Sequence, residues 1–253
     1  MKVVDAVWEI KNLGKKTIEL ILEDSDFVKT PEEIYKTTDE LRLQYAAEYT
    51  VIKMKGGVDD SLFVGNEFVK NGFVKIETQF HIKAVKRDIE FAAQRYRNFF
   101  RDTAVQPATD KAAQEHIFSE IRKGIFFKDR ISLDPEFGTE IANNRYANWT
   151  ETEVQRGSSL YYVIFKGEKI GFSLRRYEKF SAFGLLSGLF NDYKNLNIGG
   201  HIFFAELYED VKKGYKFFYG DVSSNNLTAF RLNEMFGYRL ENFYEVYVRH
   251  NSY

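Results

Sequence analysis

Apolar side chains recur along this chain at either helical or strand spacing, and the changes between the two outline its secondary structure. One face of a segment with helical spacing carries Ile34, Leu41, Tyr45 and Tyr49, which predicts a helix. Its start is marked by Thr30 as the N-cap, Pro31 at the first helical position and Glu33 in the place of a capping box. Short strands are predicted before it, within residues 3–28.

One order of elements, namely helix, strand, helix, glycine turn and strand, is predicted twice. In the first copy the strand "TVIKM" precedes a helix that Asp60 or Ser61 caps and that ends at Gly72, and "FVKIETQFHI" follows as a strand. In the second copy the strand "YKFFYGDV" precedes a helix ending at Gly237, and "YRLENFYEVYV" follows. Because both order and spacing agree, we interpret the halves as a duplication, with chance similarity as the alternative.

The segments between the copies are predicted to be mostly helical. Residues 83–101 contain six Lys or Arg with interleaved aromatic residues, which is compatible with a nucleic-acid surface or with a solvated amphipathic helix, and we favour the helix. The remaining elements are a helix over 109–123, a broken region over 134–151, a hairpin over 160–178 that turns at "KGEK", a strand over 182–190 and a helix over 197–213.

Composition narrows the class of protein. The chain has 253 residues, a hydrophobic content of 44%, a formal net charge of −1 and no cysteine. The balanced charge gives no bulk attraction to nucleic acid or to anionic membranes, and the missing cysteines exclude disulfides and thiolate metal sites. Asp5 and Glu9 interrupt the first apolar run, so we expect no signal peptide and a cytoplasmic protein without membrane insertion. The four histidines show no metal-ligand spacing, and no metal site is expected.

The segment after strand 182–190 has the features of an anion site, because a glycine-containing loop there leads into a helix N-terminus. Lys194, Asn197 and Gly199 stand at the spacing Gln/Arg-x-x-Gly-x-Gly/Ala, and here the chain resembles the GCN5-related N-acetyltransferases. The later residues Asn226 and Ala229, followed by Gly237-Tyr238, resemble the second half of that family's pattern. Asn197 replaces the usual glycine, and asparagine enters left-handed conformations more easily than most residues.

This resemblance implies a mixed α/β (α+β) protein with the acetyl-CoA N-acyltransferase fold. Residues 101–253 would form the full acetyltransferase unit, and residues 1–100 a degenerate N-terminal half-unit. The implied cofactor is acetyl-CoA, held at its pyrophosphate and pantetheine by Leu189, Phe190, Lys194, Asn195, Asn197, Gly199, Gly200 and Asn226.

The segment "NNRYANW" and the "LLSG" strand resemble the TDP-fucosamine N-acetyltransferases, which acetylate the amine of a nucleotide-linked deoxyamino sugar. The resemblance implies a sugar-nucleotide substrate for surface polysaccharide synthesis, contacted by Arg130, Arg145, Tyr146 and Trp149. For Tyr146 and Trp149, packing in the core is an equal alternative. No nucleic-acid partner is expected, and a homodimer is left open.

Asn233 stands where the family often has a tyrosine that protonates the departing CoA thiolate. A positioned general acid contributes roughly 10²–10⁴ in rate, so its loss slows the reaction without preventing it. Asn233 could donate a hydrogen bond to sulfur, and water, Tyr219, Tyr238 or Tyr244 could supply the proton. Glu206 and Asp221 are candidate proton acceptors, with neither assigned as the base. The alternatives to a sugar-nucleotide acetyltransferase are a binding module for acyl-CoA or a partner, and an acetyltransferase of protein or peptide amines.

Overall fold

A computed structural model describes residues 1–251, which divide into two compact units. Residues 1–80 and 242–251 form the first unit, and residues 81–241 form the second. The sequence placed the boundary at residue 100, whereas the chain leaves the first unit at residue 80 and returns to it at residue 242. The last strand is therefore shared, since its first residues belong to the second unit and its remainder to the first.

The first unit packs helices against a mixed sheet. Its elements are β1 (Lys2–Asp5), α1 (Glu9–Leu13), β2 (Thr17–Leu22), α2 (Pro31–Gln44), β3 (Tyr49–Lys55), α3 (Ser61–Lys70), the first part of β4 (Val74–Val85) and most of β10 (Arg239–His250). In the strand order β1-β2-β3-β10, β2 and β3 are parallel and the other pairs are antiparallel. The core holds apolar side chains of β2, β3, α2 and α3.

The predicted start of α2 is confirmed in detail. The Thr30 hydroxyl accepts a hydrogen bond from the Glu33 N–H, and the Glu33 carboxylate accepts one from the Thr30 N–H, with Pro31 in the first turn. Helix α3 begins after Asp60, one of the two residues predicted to cap it, but Asp60 has a left-handed conformation and makes no side-chain capping bond. The segment before α2 also contains the short helix α1, where only strands were predicted.

The second unit begins with the last residues of β4. Its further elements are α4 (Lys86–Tyr96), β5 (Thr103–Pro107), α5 (Lys111–Arg122), α6 (Gly138–Gln155), β6 (Ser159–Phe165), β7 (Glu168–Glu178), β8 (Ser181–Leu189), α7 (Gly199–Lys212), β9 (Phe217–Ser223) and α8 (Leu227–Met235). In the strand order β9-β8-β7-β6-β5, only the β8–β9 pair is parallel. The Lys86 N–H donates to the Lys216 carbonyl just before β9.

Helices cover both faces of the second sheet. Tyr162 packs with α5 and α6, whereas the next residue of β6, Val163, packs with Ile202 and Ala205 of α7. Successive side chains of a strand point to opposite faces, so α5 and α6 lie on one face and α7 on the other. The region expected to be broken is the continuous 18-residue helix α6, and the edge strand β5 was not predicted.

The β6–β7 hairpin turns where the sequence predicted it, with Lys166 and Gly167 both at positive φ. The repeated element order is also present, as β3-α3-Gly72-β4 and as β9-α8-Gly237-β10. Both glycines have positive φ, 84° and 94°. Common ancestry of the two copies stays a prediction. No helix among residues 1–251 combines the length and the apolar character that crossing a membrane requires.

Gly237 is predicted to be far less tolerant of alanine than Gly214, although both follow a helix at φ near 95°. A Cβ on Gly237 would lie 2.9–3.1 Å from Cβ and main-chain atoms of Asp88 in α4, whereas a Cβ on Gly214 would meet nothing within 4 Å. Gly214→Ala should cost only the left-handed strain of about 1–2 kcal/mol in the free energy of unfolding. Gly237→Ala should cost that strain and about 1–3 kcal/mol of overpacking in addition.

Urea unfolding of the two variants and the wild type measures both costs. Equal losses of stability for Gly214→Ala and Gly237→Ala would show that the close approach of α4 to Gly237 does not constrain the fold.

Candidate active site

A cavity of about 510 Å³ lies in the second unit where β8 and β9 separate. The two strands pair from Ser181 opposite Phe217 to Gly184 opposite Gly220, and the register ends there. β8 continues for five residues beyond this point and β9 for three, and these residues line the cavity. Main-chain N–H and C=O groups on the facing edges therefore need another partner, which an extended ligand between the strands could supply.

The N-terminus of α7 forms one end of this cavity. Asn197 has φ +56°, the left-handed conformation expected of an asparagine in the place of a loop glycine. Helix α7 begins at Gly199, and Ile198 at its cap position offers no side-chain hydrogen bond. A Cβ on Gly199, which lines the cavity, would lie 3.9 Å from Leu189 and Leu232. The first N–H groups of α7 and the positive end of its dipole are thus directed to a place that suits an anion.

Lys194 brings a positive charge to the same wall. Its Nζ donates a hydrogen bond of 2.9 Å to the Gly124 carbonyl and lies 5.2 Å from the centroid of the Phe127 ring. Burial lowers the pKa of the Lys194 ammonium below its usual range. An anion beside Lys194 would stabilise the charged form of this side chain and restore its pKa.

Helix α8, whose Leu232 lies beside Gly199, contributes two asparagines to the cavity wall. Asn226 is its N-cap, and the Asn226 Oδ1 accepts a hydrogen bond from the Ala229 N–H. Asn233 is buried, and its Nδ2 donates to the Ala229 carbonyl at 2.9 Å. Both side chains line the cavity. One N–H of the Asn233 amide is therefore committed to the helix, and one is left for a ligand.

The segment 125–129 closes a further side of the cavity, and Asn143 of α6 holds it in place. The Asn143 Oδ1 accepts from the Phe126 N–H, while its Nδ2 donates to the carbonyls of Phe126 and Thr139. Asn143 is fully buried. The first residue of the "NNRYANW" segment thus fixes a loop of the site, and Tyr146 from the same segment lines the cavity with its ring 4.7 Å from that of Phe126.

Beneath the end of the β8–β9 pairing, Arg175 of β7 forms a buried ion cluster with two carboxylates of α7. Arg175 Nη2 lies 2.5 Å from Asp210 Oδ2, and its Nη1 lies 3.5 Å from Glu206 Oε2. Burial alone would lower the pKa of Arg175, but the two carboxylates raise it well above the usual range. Burial also raises the pKa of Glu206, to about 7. Arg175 and Glu206 both line the cavity.

A second polar cluster lies at the other face of the strand end. Tyr219 and Asp221 of β9 line the cavity, and Asp221 Oδ1 lies 2.8 Å from Nδ1 of His81. The ring of His81 stacks on that of Tyr219. The hydrogen bond to Asp221 is the main cause that raises the pKa of His81, with Glu241 3.6 Å from its Nε2. An amine could meet carboxylate, imidazole and aromatic groups together there.

The cavity brings together eight of the fifteen residues predicted for the site, namely Tyr146, Leu189, Lys194, Asn195, Gly199, Tyr219, Asn226 and Asn233. Of the others, Phe190 is buried in the core with α5 and α6, and Gly200 faces Phe100 and Leu232. Tyr244 belongs to the first unit and pairs with Lys55, while the cavity is lined by residues of the second unit. Asn197, Arg130, Arg145 and Trp149 are also not among the lining residues.

Arg175 and the apolar loop over 125–127 were not predicted for the site. Arg175 could have been found from strand alternation, because Ser173, Arg175 and Tyr177 fall on one face of β7. Glu206 and Asp210 stand four residues apart on the inner face of α7, which is an unusual place for two carboxylates. The loop carried no signal beyond its apolar composition.

In sequence, the chain matches none of the family models and none of the curated proteins with which it was compared. In structure, it is similar to a GCN5-related N-acetyltransferase from Sphaerobacter thermophilus, with a TM-score of 0.55, 10% identity, and coverage of 87% of this chain and 67% of that one. It is also similar to a GCN5-related N-acetyltransferase from Kribbella flavida, with a TM-score of 0.54, 10% identity, and coverage of 93% of this chain and 82% of that one.

A tandem GCN5-related N-acetyltransferase (GNAT) protein from the clavulanic acid biosynthesis pathway has a TM-score of 0.51 and 11% identity to this chain, with coverage of 87% of this chain and 69% of that one. At such identities the likeness concerns the fold alone. The chain is therefore a mixed α/β protein with the fold of the GCN5-related N-acetyltransferases.

Proposed function

We propose that this protein transfers an acetyl group from acetyl-CoA to a primary amine. The observation that carries the proposal is the cavity that joins the uncapped N-terminus of α7 to the separated edges of β8 and β9. A CoA thioester has an anionic pyrophosphate at one end and an amide-containing arm at the other, so this pair of features suits both of its ends.

Each part of the cavity has a role in this proposal. The first N–H groups of α7 and the Lys194 ammonium bind the pyrophosphate, and the edge of β8 from Leu185 to Leu189 binds the pantetheine amides by main-chain hydrogen bonds. A main-chain N–H near the end of the strand pairing polarises the thioester carbonyl, and holding the amine against it lowers the barrier further. The amine nitrogen then attacks the carbonyl carbon, and the thiolate of CoA departs.

For the acceptor, we propose a nucleotide-linked deoxyamino sugar that enters on the side of α5 and α6. Asp221 and Asp129 on the lining favour an amine over a neutral hydroxyl, and the Tyr146 and Phe126 rings offer flat apolar surface to a sugar or base. Lys128 on the lining carries a positive charge that suits a nucleotide pyrophosphate, and Arg130 follows it in the loop. Acetylation of a protein or peptide amine differs only in what occupies this acceptor side.

Asn233 motivates a second candidate function, a binding module for acyl-CoA that performs no transfer. Its amide occupies the wall where an acid would be useful, and amides do not donate protons to a thiolate near neutral pH. Binding without turnover is the behaviour that distinguishes this candidate.

Acetyl-CoA is predicted to stabilise the protein through Lys194. At one hundred times its dissociation constant, the ligand should add about 2.7 kcal/mol to the free energy of unfolding. Lys194→Glu should weaken binding, because it places a negative charge beside the pyrophosphate. Lys111→Glu changes an exposed residue of α5 outside the lining and is the matched control. Thermal shifts at millimolar acetyl-CoA test this, and no shift in the wild type would refute CoA binding.

Acetyl-CoA is predicted to be consumed with at least one member of a panel of nucleotide-linked amino sugars. The same sugars with a hydroxyl in place of the amine should give no free thiol, because the attacking nitrogen is missing. Release of CoA thiol and the mass of the acetylated product are the two measurements. Turnover of peptide amines alone would replace the proposed acceptor class. Tight binding of acetyl-CoA without any turnover would favour the binding module.

Replacing Asn233 with alanine is predicted to lower turnover by no more than about tenfold, since the substitution removes one ligand hydrogen bond worth about 0.5–1.5 kcal/mol. The control variant is Asn144→Ala, which removes an exposed asparagine of α6 that does not line the cavity. Steady-state kcat for both variants decides the matter. A loss of two or more orders of magnitude in Asn233→Ala would mean that the amide does more than contribute this bond.

A further inference from the structure

Departure of a thiolate from the tetrahedral intermediate calls for a proton donor on the α7 and α8 side of the cavity, where Asn233 supplies none. Three titratable groups of the cavity wall lie beneath the end of the β8–β9 pairing, and these are Arg175, Glu206 and Tyr238. Arg175 keeps its proton, because two carboxylates hold its charge. The choice therefore lies between Glu206 and Tyr238, and it rests on the proposed acetyl transfer.

The side chains around Glu206 determine where a proton resides. Arg175, Glu206 and Asp210 are each at least 95% buried, and one guanidinium faces two carboxylates. Asp210 is the better paired of the two, since it lies 2.5 Å from Arg175 and its Oδ1 accepts a hydrogen bond of 2.8 Å from the Tyr177 hydroxyl. Lys213 also lies 3.8 Å from Asp210, at the edge of the cluster.

Of the two carboxylates, Glu206 has fewer ion-pair and hydrogen-bond partners to offset the cost of burying its charge. It lies 3.5 Å from Arg175, with the Ser173 hydroxyl as its further polar neighbour, and its Oε1 has no hydrogen-bond partner among residues 1–251. Within the buried trio one guanidinium faces two carboxylates, and Lys213 lies at the exposed edge beside Asp210. Protonating the less paired carboxylate, Glu206, relieves the excess negative charge of this trio. Glu206 lines the cavity, and a proton on its Oε1 has no acceptor among residues 1–251.

We infer that Glu206 is the general acid of the acetyl transfer, and that it protonates the sulfur of the departing CoA. In this step the N–C bond forms and the C–S bond breaks, and the electron pair of the C–S bond leaves on sulfur, which takes the proton of the Glu206 carboxyl. The amine nitrogen gives up its surplus proton to water on the Asp221 side. Glu206 regains a proton from water before the next turnover, so atoms and charges balance.

Tyr238 is the less suitable donor of the two. Its hydroxyl interacts with Arg175, and burial raises the pKa of Tyr238 to about 12, which is above the ~8.5 of a thiol. Proton transfer from Tyr238 to a thiolate is therefore uphill, whereas transfer from Glu206, with a pKa of about 7, is downhill. Tyr238 lies close enough to the cluster to hold Arg175 in position.

The substitution Glu206→Gln removes the proton donor while keeping a neutral side chain of the same shape. In single-turnover measurements at pH 7, acetyl transfer should slow by about 10²-fold or more, and the thermal shift with acetyl-CoA should remain. Glu209→Gln, one turn along the outer side of α7 and paired with Lys212, is the matched control and should transfer at the wild-type rate. Glu206→Asp retains a titrating group and should recover part of the rate.

The dependence of transfer on pH separates an acid from a residue that only supports the fold. With bound substrates, the wild-type rate should fall as pH rises through about 7, where Glu206 loses its proton, and this falling limb should be absent in Glu206→Gln. Transfer by Glu206→Gln at the wild-type rate, or with an unchanged falling limb, would overturn the assignment. A wild-type rate that does not fall as pH rises through about 7 would also overturn the assignment, and this measurement does not depend on any variant folding.

A readout independent of activity comes from stability. Glu206 has a raised pKa in the folded state, so the unfolded chain loses this proton near pH 4.5 and the folded chain near pH 7. The contribution of Glu206 to stability therefore declines between these values, and the melting temperature of Glu206→Gln should rise relative to the wild type from pH 5 to pH 8. A melting-temperature difference between the two proteins that stays constant over this pH range would show that Glu206 carries no proton there, and would overturn the inference. Failure of acetyl-CoA to bind would instead refute the proposed function, and the catalytic role with it.

Discussion

The end of the parallel pairing between β8 and β9 is the constraint on which the candidate site depends. Two glycines, Gly184 and Gly220, form the last pair. A Cβ on Gly184 would lie 3.2 Å from Arg175 Nη1, so the missing side chain leaves room for the guanidinium directly beneath the strand. The β8–β9 register ends at this pair, so the facing main-chain groups beyond it need a ligand or water in place of the neighbouring strand. The gap and the ion cluster thus arise at the same place.

This arrangement works against stability. Taking Arg175, Glu206 and Asp210 out of water costs free energy that their mutual attraction only partly returns, and an apolar trio of similar volume would often be as stable or more so. The same desolvation keeps a carboxyl protonated near neutral pH, which solvent would not allow. In the proposed reaction, the feature that weakens the fold is the one that supplies a proton at sulfur.

Patterns of a few adjacent residues were enough to predict many of the helices, strands and turns, but they predicted fewer of the contacts between these elements. The capping box at Thr30 and Glu33, the turn at Lys166-Gly167 and the left-handed Asn197 each depend on a few adjacent residues, and each is present. The region 134–151 was expected to be broken, yet residues 138–155 form the continuous helix α6, and Asn143 bonds from it to a loop 17 residues away. Periodicity carries no information on such long-range bonds.

The candidate site shows the same limit. Lys194 and Gly199 were predicted from the loop, and the cavity contains both, because loop and helix start are continuous in sequence. Arg175 and Glu206 come from different elements and meet only through the crossing of β7 and α7. Phe190 was predicted to contact the cofactor but packs inward instead, since one residue along a strand end reverses the face.

The return of β10 to the first unit also determines when that unit can be completed in the cell. β3 pairs on one side with β2, which precedes it closely, and on the other with Tyr244 to His250 of β10, almost two hundred residues later. During synthesis the β10 side of β3 stays open until the ribosome has translated residues 244–250. Such a late, non-local pairing is slow to form, and the open edge of "YTVIKMK" is a place where nascent chains could associate. Chaperone dependence should therefore concentrate on the first unit.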